Sequence, residues 1–445
     1  MANHRFPIDS VSYSGSYAYV NTTYPYYNAF CIEGLHTSTI TPGQGQKFYL
    51  ENSLLLLDKP GEFYFDKAAR KMYYYPYANE NMATADTWCA VTDGMMNITG
   101  VGSSNKVTNL EFDGISFRHS GYDDFTVKGA AFNQTDEWRL GGETYYGQHI
   151  FPGQIWVKFA DSLVFKNCEF ASMGASAIIM EEGVTNSQVT TSYFHDLAGT
   201  GIVLGDYRDG NSAPVGTERC KNIEVDNNIF RRVAQEFQGL TAISIYYVGN
   251  ANVHHNDIKD VPYTGISVGW GWGYDDPLDC GNHNISYNKI DDVMQTMGDG
   301  AHIYTLGNLR GTQINDNYII DPGEIKAPGI YFDQGTGYTS VSDNVVTNAY
   351  TTSSEYWFFA RQLVNINNCF AGYNHTDGRD PSKIYGTNGT DTDDVALKGN
   401  KYRVTSWSTA AQRIMAEAGL EDKTRLNEID TYPAWRTMRM LDIPN

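Results

Sequence analysis

The chain has 445 residues and carries 32 Lys and Arg against 52 Asp and Glu, a formal net charge of −20. Such a surface repels nucleic-acid phosphates, and no basic patch interleaved with aromatics offsets it, so nucleic acid is not an expected partner. A neutral substrate, or one bound through a metal, suits the charge better than a polyanion, and no stretch is apolar enough to cross a membrane.

The opening, Met1-Ala-Asn-His-Arg5, has no apolar core of a signal peptide and does not read as the first coil of a repeat. The chain therefore reads as a mature form, a fragment or an incomplete gene. Residues 1–105 hold two strand-like runs around a turn, Gly61-Glu-Phe-Tyr-Phe-Asp66 and Lys71-Met-Tyr-Tyr-Tyr-Pro76, and read as a β-rich accessory module. Leu110 to Phe117 opens a regular coil, and 120–155 reads as a long excursion from it.

From there a local pattern recurs: apolar, two residues, Asn, one residue, apolar. It stands at Val225 to Phe230, Val253 to Ile258, Ile285 to Ile290, Ile314 to Ile319 and Val341 to Val346, with a later copy at Leu397 to Tyr402. Phe165 to Phe170 and Val189 to Phe194 fit with Cys168 and Ser192 in the Asn slot. The slots at 168, 192, 228, 256, 288, 317 and 344 are 24, 36, 28, 32, 29 and 27 residues apart. An α-solenoid would show an apolar stripe of period 3.6; here the apolar runs are short and alternating, as strands are. Asn tolerates a left-handed turn and bonds nearby amides, and Asn side chains stacked at the strand spacing of about 4.8 Å can bond one another.

A second strand in each coil starts with a small residue or His: Ala177-Ile, Gly201-Ile, Ala242-Ile, Gly265-Ile, His302-Ile and Gly329-Ile. These copies predict an all-β fold, a parallel β-helix running over 106–407, with loop insertions near 120–155, 206–220 and 273–283. Residues 408–420 read as a short helix capped by Ser408 or Thr409 and closed by Gly419, and 408–445 as a helical cap and tail expected to cover the open end of the stack. The six cysteines (31, 89, 168, 220, 280, 369) form no CxxC pair, so a zinc site is not expected, and mostly reduced, partly buried thiols are. No metal and no cofactor are expected.

Inward positions of the coils must be apolar, so outward carboxylates and aromatics are the candidates for chemistry. With the second strands aligned on their Ile, Asp299 stands four residues before Ile303, Glu324 six before Ile330, and Asp333 three after it. Asp299 and Glu324 thus share one side of adjacent coils, while Asp333 lies further along by a distance on the order of 20 Å if the chain ran straight. A glycosidase needs two carboxylates, roughly 5–5.5 Å apart for retention or about 6.5–9.5 Å for inversion. The opposing view is that all three are turn residues, since Gly-Asp-Gly and Pro-Gly-Glu are common turn chemistry. Trp270 and Trp272, in Gly269-Trp-Gly-Trp-Gly, either stack on a sugar or cover the base of their own loop. His302, Tyr304, Tyr246 and Tyr331 are expected on the outward face as substrate-binding residues, with Glu181 and Asp206 behind them; His254-His255 reads as structural.

The run Gly265-Ile-Ser-Val-Gly-Trp-Gly-Trp, Asn288-Lys-Ile, Asp299-Gly-Ala-His-Ile-Tyr-Thr-Leu-Gly, Asn317-Tyr-Ile, Gly329-Ile-Tyr-Phe-Asp333-Gln-Gly resembles right-handed parallel β-helix glycoside hydrolases, above all those around glycoside hydrolase family 141. Leu57-Asp-Lys-Pro-Gly-Glu-Phe-Tyr-Phe-Asp66 with Tyr73-Tyr-Tyr-Pro76 is similar to that group's hairpin segment, and the likeness spans roughly residues 50–420. The group includes α-L-fucosidases and xylan-active enzymes. The resemblance implies a polysaccharide substrate, a secreted, periplasmic or cell-surface setting and a retaining-type carboxylate pair at Asp299 and Asp333. The related β-helix β-xylosidases, which use an Asp and a Glu about two dozen residues apart, imply Asp299 with Glu324 instead. His302 departs from the pattern, which has a small residue there, and the start lacks the group's first coils. A lyase or epimerase on the same fold would need cations near Asp299, where only Arg310 and Lys326 stand; a non-catalytic carbohydrate-binding or adhesion solenoid is the third reading. Oligomeric state is not legible.

Overall fold

The computed structural model describes residues 3–23, 48–85, 87–124, 130–132, 134–140, 149–206, 216–271, 280–320, 327–348, 358–360, 366, 368–378 and 395–429. Its body is three long parallel sheets of nine, ten and nine described strands, in which each coil contributes one strand to each sheet. This is the parallel β-helix that the repeat predicts.

The registers explain why the repeat folds this way. In the first sheet Ile155, Ile178, Ile202, Ile243, Ile266, Ile303, Ile330 and Phe358 lie side by side on successive coils. In the third sheet the inward column runs Phe117, Phe170, Phe194, Phe230, Ile258, Ile290, Ile319 and Val346. The Phe rings stack face to face, Phe170 on Phe194 at 4.5 Å and Phe194 on Phe230 at 4.8 Å between centroids. Like packs on like because each coil repeats the same inward positions one strand spacing further on.

The Asn slot joins the second sheet to the third and forms a continuous ladder. The Oδ1 of Asn256, Asn288, Asn317, Asn344, Asn374 and Asn400 each accepts both the backbone and the side-chain N–H of the preceding Asn, at 2.9–3.1 Å. Asn374, which the repeat pattern does not mark, supplies the rung between 344 and 400. It is fully buried there, so the Asn374-His375-Thr376 glycosylation sequon is no glycan acceptor in the folded chain. The left-handed backbone expected at the slot lies one residue earlier, at Asn167, Thr191, Asn227, His255, Tyr287, Asp316, Asp343 and Tyr373. A β-branched or aromatic residue rarely takes that conformation. The slot Asn holds the turn by its side-chain bonds, which leaves the preceding position open to most residue types.

At the start, Met96–Thr99 pairs in parallel with Gly153–Lys158, so the stack begins about ten residues before the expected boundary. Before it lie two antiparallel hairpins, Ile8–Ser14 with Tyr17–Thr22 and Phe63–Asp66 with Lys71–Tyr74. The excursion at 120–155 holds a small antiparallel sheet of Ala130–Phe132, Glu137–Leu140 and His149–Ile150.

The C-terminal helix, α1 (Thr409–Glu417), is capped by Ser408, whose side chain accepts from the Ala411 N–H. It does not cover the end of the stack. Its Ala411 and Ile414 pack on Val345 beside Tyr318 and Trp407. The chain then runs back along the ladder turn: the Gly419 N–H donates to the Tyr287 carbonyl, and Asn227 and Glu421 bond each other. In α2 (Thr424–Ile429), Arg425 donates to the carbonyls of Asn227 and Thr191. The apolar stripe chosen for an end cap serves equally for a lateral strap, and the sequence does not separate the two.

Candidate active site

The outer face of the first sheet carries two columns of side chains. One holds Ile179, Val203, Ser244, Ser267, Tyr304 and Tyr331; the next, two residues on, holds Glu181, Tyr246, Leu306 and Asp333. Strand alternation alone puts them outward, because Ile303, Thr305, Ile330 and Phe332 face in.

Asp333 follows the strand Ile330–Phe332 and is 5% exposed. Its Oδ2 accepts from the Tyr304 hydroxyl at 2.5 Å, and its Oδ1 accepts from the Gln334 N–H at 2.8 Å. A carboxylate bonded at both oxygens is set up to attack or to accept a proton, not to donate one. Tyr304 is pushed well above the ordinary tyrosine range by burial and by the Asp333 charge, so it stays protonated and keeps donating. Tyr331 meets Tyr304 edge-to-face at 5.2 Å.

Asp299 is exposed and has a left-handed backbone, φ 62°. Its carbonyl accepts from the hydroxyl of buried Tyr263 at 2.7 Å, which ties the Gly-Asp-Gly turn down. Gly300 is required here: a Cβ would stand 2.5 Å from Thr264 Oγ1 and 2.6 Å from the Tyr263 ring. Gly300→Ala is expected to destabilise the fold by about 1–3 kcal/mol, seen as a lower Tm, and to lower activity by shifting Asp299. Burial first, then the charges of Asp299 and Asp333, raise the pKa of Tyr263. Tyr263 thus lies within the electrostatic reach of both carboxylates, although Asp333 comes from the following coil.

Three residues that the sequence does not single out complete the arrangement. The Gln134 side chain, from the excursion, stands near the hydroxyls of Tyr263 and Tyr304 and offsets part of the rise in their pKa values. Two residues on, Asp136 is fully buried. It accepts from Thr200 Oγ1 at 2.6 Å, from Ser244 Oγ at 2.5 Å and from the Tyr246 hydroxyl at 3.3 Å. Desolvation raises its pKa against these bonds. The third is Tyr263 itself, in the turn before the Gly265 strand. A polar Gln-Thr-Asp-Glu stretch in a long loop carries no periodic signal, so pattern reading passes over it.

Other expectations change. His302 does not face outward to solvent. It is fully buried, with Nδ1 3.4 Å from the Pro328 carbonyl. Its slot is the one where a Cβ on Gly201 or Gly265 would meet Phe230 or Ile290, which is why the other coils keep it small. Trp270 is 3% exposed and packs edge-to-face on Tyr246 of the preceding coil at 5.3 Å, which rules out the sugar-stacking role. Tyr246 and Tyr331 are likewise buried. Glu181 is engaged by Trp156 and by Lys158. Trp272 and Glu324 lie outside the described residues.

Comparison with known proteins bears on the fold and on the module before it. The family model "GH141 insertion domain" matches residues 36–77, around the Phe63–Tyr74 hairpin, and "Right handed beta helix region" matches residues 102–274. A solved glycoside hydrolase superposes with a TM-score of 0.75 at 24% identity, over 95% of this chain and 69% of that one. XylC, solved with xylose, gives 0.42 at 11% identity over 80% and 63%. PfbA, a surface adhesin of Streptococcus pneumoniae, gives 0.39 at 14% over 70% and 74%. No curated protein sequence matches the chain. The chain is a right-handed parallel β-helix that carries a GH141 insertion domain and resembles the β-helix glycoside hydrolases of that group.

Proposed function

We propose that this protein is a glycosidase acting on a neutral plant or microbial polysaccharide outside the cytoplasm. The observation that carries the reading is a nearly buried, doubly hydrogen-bonded Asp333 on the outer face with an exposed Asp299 on the preceding coil, both within electrostatic reach of Tyr263, on a glycoside-hydrolase-like fold. Asp333 is the nucleophile. It attacks the anomeric carbon to form a glycosyl ester, while Asp299 protonates the leaving oxygen; Asp299 then takes a proton from the water that cleaves the ester. Glu324 is the alternative partner for Asp299, and α-L-fucosides and xylo-oligosaccharides are the first substrates to try.

The lyase reading is less well supported. It needs cationic groups to neutralise a uronate, and Arg310 instead lies 5.0 Å over the Tyr338 ring.

The test is a panel of aryl glycosides beside a uronate polymer, reading released phenol and the absorbance of unsaturated product. Phenol release is expected, and Asp299→Ala is expected to cut it about 10²-fold or more on a poor leaving group, which needs the proton, and much less on a dinitrophenol. A rise in unsaturated uronate alone overturns the reading.

A further inference from the structure

We infer that His195 is an imidazolium at neutral pH, the middle link of a charged clasp that fastens four successive coils and loosens as pH rises. The clasp lies on the outer face of the third sheet, not on the first sheet where Asp333 stands, so the inference is independent of the glycosidase reading.

The strand registers build the row. Arg118, Ala171, His195 and Arg231 lie side by side on successive coils, with Glu169 and Tyr193 in the neighbouring outward column. The small Ala171 leaves room for the Glu169 carboxylate to reach both ways. Arg118 Nε donates to Glu169 Oε2 at 2.6 Å, and Glu169 Oε1 stands 2.9 Å from His195 Nε2. Across the ring, His195 Nδ1 stands 2.7 Å from Asp196 Oδ2, and Arg232 Nε donates to Asp196 Oδ1 at 2.7 Å. The charges thus alternate through Arg118, Glu169, His195, Asp196 and Arg232. His195 is fully buried, and its ring stacks on Tyr193 at 4.1 Å. Arg231, beside it on the next coil, is held by Asp257 at 2.5 Å, and the Asp260 charge reaches Arg232.

A neutral imidazole has one N–H and one lone pair. Both nitrogens here meet carboxylate oxygens, which only accept, so a neutral ring would set a lone pair against a carboxylate. The carboxylates do not take the proton instead. Against burial, bonds from His195 and Arg118 hold Glu169 down to about 2, and bonds from His195 and Arg232 hold Asp196 below its usual range. Burial favours the neutral ring, but the bonds from Asp196 and Glu169 outweigh it and raise the His195 pKa. A group with a higher pKa in the folded chain than in the unfolded one stabilises the fold below the unfolded value. That contribution is lost as pH rises through the folded value. Deprotonation opens the middle link and leaves two buried carboxylates facing an uncharged ring. A cavity of about 230 Å³, lined in part by Asp196, Arg232, Gln235 and Glu236, lies beside the clasp and gives water a way to it.

The test is an NMR titration of protein labelled at histidine Cε1, with the His195 signal identified by its contact with the Tyr193 ring. Beside it, urea unfolding of the wild type and of His195→Gln is followed over the same pH range. The His195 signal is expected to keep its protonated position at about pH 7 and to titrate above the ordinary value of 6.5. The wild-type urea midpoint is expected to fall from about pH 6.5 upward. In His195→Gln that fall is expected to be absent or much smaller, because the amide has no proton to lose in this range. Subtracting one curve from the other removes the titrating groups that both proteins share. A His195 signal that is already neutral at about pH 7, or wild-type and variant midpoints that fall with the same slope, overturns the inference. Should His195→Gln not fold, the wild-type titration decides: a protonated ring supports the clasp and a neutral one removes it.

Discussion

Asp333→Asn is expected to lower kcat on aryl glycosides by about 10³–10⁴-fold, with KM little changed. The size follows from what the substitution removes. Asn keeps the volume and one acceptor, so the Tyr304 hydroxyl still has a partner, but the amide cannot form the glycosyl ester. A residue that acts only in the transition state takes kcat and kcat/KM down together. The side-chain N–H₂ of Asn would face one of the two donors that now converge on Asp333, from Tyr304 and from the Gln334 N–H. That clash costs about 1–2 kcal/mol of stability. The melting curve therefore moves slightly while activity collapses, and that contrast separates chemistry from folding. Asp333→Ala goes further, because it opens space for a small anion. Azide or formate is expected to restore part of the activity with the best leaving groups. Activity within tenfold of wild type in Asp333→Asn would remove this carboxylate from the reaction.

Much of the fold was legible because a β-helix writes its structure locally. Each coil restates the same inward Ile and the same Asn, and the strand registers align those residues one above another. Asp333 and Tyr304 were legible for the same reason, being fixed outward by strand alternation beside Ile330 and Ile303. What could not be read is set by contacts between distant segments. Gln134 and Asp136 are more than 100 residues from Tyr246 and Tyr304, and nothing in a polar loop announces where it will land. The burial of His302 escaped for a related reason, and so did the choice between the two readings of Trp270. Alternation says which way a strand residue points, but not what covers it, and at a coil bend it does not hold even for direction. The antiparallel return of α1 and α2 along the ladder turn is likewise decided by bonds such as Asn227 to Glu421, which no periodicity encodes.

The ladder offers the second large effect. Asn288→Ala is expected to destabilise the protein by roughly 3–5 kcal/mol, whereas Asn250→Gly, in the outer row of asparagines, is expected to cost less than about 0.5 kcal/mol. Asn288 is fully buried. Its Oδ1 accepts the backbone and side-chain N–H of Asn256 at 3.1 and 2.9 Å, and its Nδ2 donates to the Val253 carbonyl at 2.9 Å and to Asn317 Oδ1 at 3.0 Å. Alanine leaves two buried donors and one carbonyl short of a partner, at about 1–3 kcal/mol for each group left fully unsatisfied. The outer row forms similar bonds, Asn250 to Asn222 at 3.0 Å and Asn222 to Asn186 at 2.9 Å, but these residues are exposed, so water replaces what is lost. Glycine is the right control at 250 because the backbone there is left-handed, φ 55°, where alanine would add strain of its own. In a chain of this size the Asn288 loss corresponds to a fall in Tm of roughly 3–6 °C. Because each coil touches only its neighbours, the damage is local, and amide exchange is expected to quicken first in the coils of Asn256 and Asn288. A fall below about 2 °C, or exchange that quickens evenly along the stack, would mean that the stacked Ile and Phe columns hold the coils without help from the asparagines.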